Sequence, residues 1–199
     1  SIYNMCDIIS TIKQDVAGME YLENQLNSKP SVNVTEAFYR NFDFEKFLKE
    51  IKGLDAEHFD YINLQVRLMR LYNERDNVEN YNELKEFILG SIEKFSNAEK
   101  WFLSSALFGF VLNRYISSSS KELLIEMGEI RKTQLANVKF NAEGLAPLQA
   151  GVFRNIIEVF VILGEIDYAI EVVKKHLGDI EENKRKSSYS YAMAIIEEF

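Results

Sequence analysis

The stretch Phe153-Arg154-Asn155-Ile156-Ile157-Glu158-Val159-Phe160-Val161-Ile162-Leu163-Gly164-Glu165-Ile166-Asp167-Tyr168-Ala169-Ile170-Glu171-Val172-Val173 decides the fold. Between Phe153 and Leu163 only Arg154, Asn155 and Glu158 are polar. A helix with one buried face shows a single apolar stripe. This segment is apolar nearly all round, so it needs neighbours on more than one side. Gly164 then stops the helix, and a second one is expected from Ile166 to about Leu177.

The same helix–turn–helix rhythm extends outward. Prolines occur only at Pro30 and Pro147, which leaves long intervals free of helix breakers. No alternating Val/Ile/Thr run suggests a strand. A first helix is expected over about Asn4 to Leu26, carried by Ile8, Ile9, Ile12, Val16, Met19, Leu22 and Leu26 at three- and four-residue steps. A second ends at Lys52 with Gly53 as its cap, and either Thr35 or Asp43 starts it. Asp55 begins a third, to Asn73. A fourth covers Tyr81 to Phe95. Ser96-Asn97-Ala98-Glu99 has capping-box form and opens the fifth, and Ser119-Ser120-Lys121-Glu122 repeats that form for the sixth. Pro147 stands near the start of the seventh, and the ninth runs from about Asn183 to the C-terminus.

Two features select an array over a simple bundle. The third helix carries two stripes, Phe59, Ile62, Val66, Met69 and Tyr61, Leu64, Leu68, Leu71. The turns at Glu74–Asn77, Ser117–Ser120 and Gly164–Asp167 recur at roughly 40–50 residues, the period of helical repeats. The expectation is an all-α chain, 1–199 forming one repeat domain of about nine helices, coiled as a right-handed alpha-alpha superhelix.

The quoted stretch resembles a tetratricopeptide repeat. Gly164 falls at the inter-helix turn and Ala169 at the small position of the second helix. Phe153, Ile156, Phe160 and Val173 take the large packing positions. Ile157 stands where the family prefers Gly or Ala, and His176 replaces a small residue. Tyr189-Ser190-Tyr191-Ala192-Met193-Ala194 resembles the first helix of a following repeat. The earlier pairs keep the rhythm without the Gly and Ala, as in degenerate bacterial arrays of this kind. The resemblance implies a groove lined by the first helix of each hairpin, binding a peptide or partner helix. Its groove positions fall on Arg154, Glu158, Val161 and Ile162, and neighbouring first helices offer Asn63, Arg67, Arg70 and Arg114.

Composition narrows the function classes. One cysteine, Cys6, excludes a disulfide scaffold and any multi-thiolate site. The formal charge of −8 argues against an electrostatic nucleic-acid binder. With 47% hydrophobic residues the chain can bury a real core. The most apolar stretch, Trp101 to Leu112, is too short for a membrane helix and contains Ser104 and Ser105. The opening Ser1-Ile2-Tyr3-Asn4 carries no secretory signal, so a cytoplasmic setting is expected.

Chemistry-bearing residues are sparse. His58 sits among first-turn acids and His176 follows Lys174 and Lys175 at a helix end, where cations are favoured. Ser117 to Ser120 reads as turn and cap, and no nucleophile elbow surrounds either serine group. No glycine-rich phosphate loop is present. Lys184-Arg185-Lys186 reads as a solvated helix start. No cofactor, metal, catalytic residue, nucleic acid or membrane partner is expected. The expected role is a non-catalytic interaction scaffold with a protein or peptide partner. A structural piece of a longer array and a small-molecule or peptide sensor both stay open. The ninth helix, with Tyr189, Tyr191, Met193, Ile195, Ile196 and Phe199, is expected to be an uncovered stacking surface, open to self-association or to further repeats.

Overall fold

A computed structural model of the chain describes residues 42–54, 59–73, 77–142 and 145–198. The expected first helix, with Cys6, and Asp55 and His58 lie outside the described residues. Among the described residues there are eight α-helices and no strand, so the chain is all-α as the periodicity predicts. They are α1 (Phe44–Leu54), α2 (Phe59–Asn73), α3 (Val78–Gly90), α4 (Asn97–Ser118), α5 (Lys121–Asn137), α6 (Ala150–Ile162), α7 (Ile166–His176) and α8 (Glu182–Glu198). The chain divides into two compact units between Leu84 and Lys85.

In the first unit, Asp43 caps α1 by accepting the Lys46 N–H at 2.9 Å. The helix runs past Gly53 to Leu54, two residues beyond the expected end at Lys52. Both stripes of α2 are used: Ile62 and Val66 on one, Leu64, Leu68 and Leu71 on the other, are all buried. Asn77 caps α3 by accepting the Asn80 N–H at 3.0 Å. This cap starts α3 at Val78, a turn before the expected Tyr81, and the helix stops at Gly90. The expected extension to Phe95 is instead a separate 3₁₀ turn, Ile92–Lys94.

In the second unit, Ser96 and Glu99 form the expected capping box, with Glu99 N–H to Ser96 Oγ at 3.3 Å and Ser96 N–H to Glu99 Oε2 at 2.8 Å. The second expected box, on Ser119 and Glu122, does not form, and the cap falls one residue later. Ser119 is left-handed, φ 53°, and closes α4 by donating its N–H to Tyr115 O. Ser120 therefore caps α5, and its hydroxyl accepts the Leu123 N–H. The helix α5 approaches α6 closely: a Cβ on Gly128 would lie 2.6 Å from Leu163 Cδ1.

The α6–α7 turn is a Schellman motif. Gly164 has φ +76°, and its N–H reaches Val161 O at 2.9 Å while Glu165 N–H reaches Phe160 O at 2.8 Å. Ahead of it, α6 begins at Ala150, three residues after Pro147. Leu148 is extended, bridges to Ile180 and donates its N–H to Asp179 O at 2.9 Å. That pairing draws the linker off the helical path. Phe140, Leu148, Phe153, Phe160, Ala169 and Ile196 belong to one buried core, and α8 lies against both α6 and α7.

Candidate functional site

Helical periodicity puts a charge inside this core. On α5, Leu124, Met127, Arg131 and Leu135 follow one another at buried three- and four-residue steps. Arg131 is 5% exposed. Its Nη1 donates to Gln134 Oε1 at 2.7 Å and its Nη2 to Asn155 Oδ1 on α6 at 2.9 Å. The guanidinium carbon lies 3.6 Å from the centroid of the Phe108 ring on α4. Both acceptors are neutral amides, and burial pushes the guanidinium down to about 10, so it remains a cation at neutral pH. Gln134 continues the network by donating from Nε2 to Ser105 Oγ at 3.1 Å and Trp101 O at 3.3 Å. Three helices are joined through one arginine. The signal in the sequence was a charged residue in step with an apolar stripe.

The residues expected to line a groove are distributed differently. Arg154 and Glu158, one turn apart on α6, are both engaged by α8. The Arg154 guanidinium sits 4.8 Å from the Tyr191 ring centroid, and the Tyr191 hydroxyl donates to Glu158. That hydrogen bond, followed by burial and the carboxylate charge, raises the Tyr191 phenol above its ordinary value. Val161 is 1% exposed and belongs to the core, because it extends the Phe153–Ile157 stripe by four residues. Its side chain therefore offers no surface to a partner. Ile162 is 54% exposed. On α2, buried Asn63 accepts from Arg67 Nε at 3.1 Å, and Arg67 Nη1 reaches Glu83 at 2.5 Å. Arg70 pairs with Glu45 of α1 at 2.8 Å. Arg114 rests 5.8 Å from the Phe110 ring centroid, one turn back on α4.

His176 is buried, not displayed at a helix end. Its Nδ1 lies 2.8 Å from Asp179 Oδ2, and its ring meets Phe140 edge-on at 6.1 Å. Asp179 fixes the ring while its own carbonyl holds Leu148 and Asn141. This makes the histidine part of the clasp between the 140–148 linker and the α7–α8 turn.

A cleft of about 210 Å³ opens between the last turn and a half of α3, α4 and α5. Its floor is Ile88, Leu107 and Ile130, with Leu89 at the wall and Lys85 and Glu129 at the rim. Ser104 also lines it, but the Ser104 hydroxyl donates to Lys100 O at 2.7 Å. The residue thus meets the cleft as a small side chain. No helix among the described residues is long and apolar enough to cross a membrane. Sequence reasoning did not find the cleft, because it depends on how three helices diverge and not on any one helix pattern. The chain matches no known protein family, no curated protein and no solved structure at a significant level.

Proposed function

We propose that the chain is a non-catalytic interaction module, a tetratricopeptide-like right-handed stack of helical hairpins that holds a peptide or partner helix in the cytoplasm. The observation that supports this reading is the way α8 lies against both helices of the α6–α7 hairpin. In a stacked array each hairpin offers its two helices to the next in this manner. The Schellman turn at Gly164 and the fully buried Ala169 supply the tight turn and the close approach that such a hairpin needs. The binding surface on this reading is not the α6 face of Arg154 and Glu158, since α8 occupies it. It is formed by side chains left open on the second unit. Selection of a displayed random-peptide library against the purified chain tests the reading. Enrichment of related sequences that rebind as free peptides supports it. No enrichment, or turnover of a substrate in a broad hydrolase and transferase screen, overturns it.

A further inference from the structure

We propose, resting on the interaction reading above, that the α3–α4–α5 cleft receives one large apolar side chain from a basic amphipathic helix. The size sets the kind of occupant. Sites for whole small molecules usually enclose about 300–1,000 Å³, and this cleft encloses about 210 Å³. It is too small for such a ligand and large enough for a single Leu or Phe anchor, the element that dominates many helix-in-groove contacts.

The surface around the cleft extends the fit. Ile88, Leu107 and Ile130 form a floor already removed from water. Leu89, 44% exposed on α3, gives the cleft an apolar shoulder, and Ile125 is exposed one helical turn before the lining residue Glu129 on α5. An incoming helix covers the Leu89 shoulder while its anchor fills the floor.

Charge fixes the sign of the partner. At the rim Lys85 pairs with Glu126 at 2.6 Å. Lys132 is shared between Glu129 at 3.0 Å and Glu165 at 2.9 Å. Two carboxylates thus share the one Lys132 ammonium, and exposed Glu86 beside Lys85 adds another negative charge. The Glu129 side chain is 63% exposed. A lysine or arginine one turn from the anchor finds an incompletely neutralised carboxylate there, and an acidic helix is repelled.

The test uses three capped, fluorescently labelled model helices built on alanine: one with a central Phe and flanking Lys, one with Ala in place of Phe, and one with Glu in place of Lys. Binding to the full chain is read by fluorescence anisotropy at low and high salt. The Phe/Lys helix should bind, and losing the Phe or reversing its charge should weaken binding at least about tenfold. Two exposed positions, Leu89→Asp and Glu129→Lys, should weaken the Phe/Lys helix by a similar factor with unchanged circular dichroism. Failure of the Phe/Lys helix to bind, or binding to both variants as tight as to the parent, overturns the cleft assignment. Library peptides that bind parent and variants alike would leave the interaction reading standing and overturn this one alone.

Discussion

The Arg131 guanidinium lies against the Phe108 ring at 3.6 Å and donates from Nη1 and Nη2 to two amide oxygens, those of Gln134 and Asn155, while its buried Nε has no hydrogen-bond partner. It is a buried cation without a carboxylate partner among the described residues. Its replacement leaves amide acceptors of the network without a donor, at about 1–3 kcal/mol for each fully buried group. Arg131→Met is therefore expected to lower stability by about 1–3 kcal/mol, relief of the buried charge offsetting part of the loss. Arg131→Lys should not rescue it, because an ammonium cannot fork to both oxygens and stack on the ring. Urea denaturation checks both, and a Met variant as stable as the parent would refute the argument. The pH dependence also follows. With the folded value lowered by burial to about 10, the unfolded chain holds more protons only once the pH passes above that value, so stability rises with pH there. Over roughly pH 5 to 9 the Met variant should be offset from the parent with an unchanged slope.

Tyr191 joins α8 to α6 through Glu158. Its raised phenol value means that the folded state keeps the proton longer than the unfolded state. The associated stability is fully present below the unfolded value near 10 and is lost as pH rises through the folded one. Tyr191→Phe should cost about 0.5–1 kcal/mol at neutral pH, the net worth of a partly exposed hydrogen bond. Burial raises Tyr168 as well, so ultraviolet difference titration should show one fewer late-ionising tyrosine in the variant than in the parent. Glu158→Gln should move that late phase back toward the ordinary range.

Much of this was legible in the chain, and the reasons differ by element. The Ser96/Glu99 box, the Gly164 turn and the two stripes of α2 are local. Each depends on residues within a turn or two of one another, so spacing alone exposes them. The cap at Ser120 was missed because Ser119, with Glu122 three residues on, fits the box pattern and Ser120, with Leu123 there, does not; the left-handed conformation of Ser119 takes it out of the cap position. Pro147 stands three residues before the start of α6, and the extended residue between them has a long-range cause that spacing does not carry: Leu148 pairs with Ile180 across the α6–α7 hairpin. The groove positions on Arg154, Glu158 and Val161 depended on which faces of α6 meet α8 and the core. A sequence that is apolar all round does not specify that.

The two serines at the α4–α5 junction should respond in opposite directions. Ser119 holds φ 53°, a conformation that disfavours any side chain. Ser119→Gly is expected to stabilise the chain by about 0.5–1 kcal/mol. Ser120→Ala removes the cap on α5 and should destabilise by about 1 kcal/mol. Thermal melting of the two single variants decides the register. If the effects were reversed, the cap would belong to Ser119.

Asn80 on α3 is 3% exposed, and neither its Oδ1 nor its Nδ2 has a hydrogen-bond partner. A buried amide without partners costs free energy that a leucine of similar shape does not. Asn80→Leu should raise stability by about 1–2 kcal/mol. A lower denaturation midpoint for the Leu variant would show that the amide is satisfied in solution.

The last helix was expected to present its apolar residues uncovered, and α8 divides them instead. Ser188, Ala192 and Ile196, spaced by four, face inward and are buried, while Tyr189 is exposed. Tyr191, Met193 and Ile195 are half-buried between these extremes. Phe199 lies outside the described residues. The burial therefore assigns the energy of this helix to one stripe. Ile196→Ala should cost about 2–4 kcal/mol, since it opens a cavity against α6 and α7. Ala192→Leu should also destabilise, by about 1–3 kcal/mol, because its added Cγ and two Cδ atoms have no room at a fully buried site. Tyr189→Ala should stay within about 0.5 kcal/mol of the parent. Equilibrium unfolding of the three variants reads the stripe directly. If Tyr189→Ala proved as damaging as Ile196→Ala, while Ala192→Leu was tolerated, α8 would have to be rotated about its axis by roughly one residue step, and the Tyr191–Glu158 contact would fall with it.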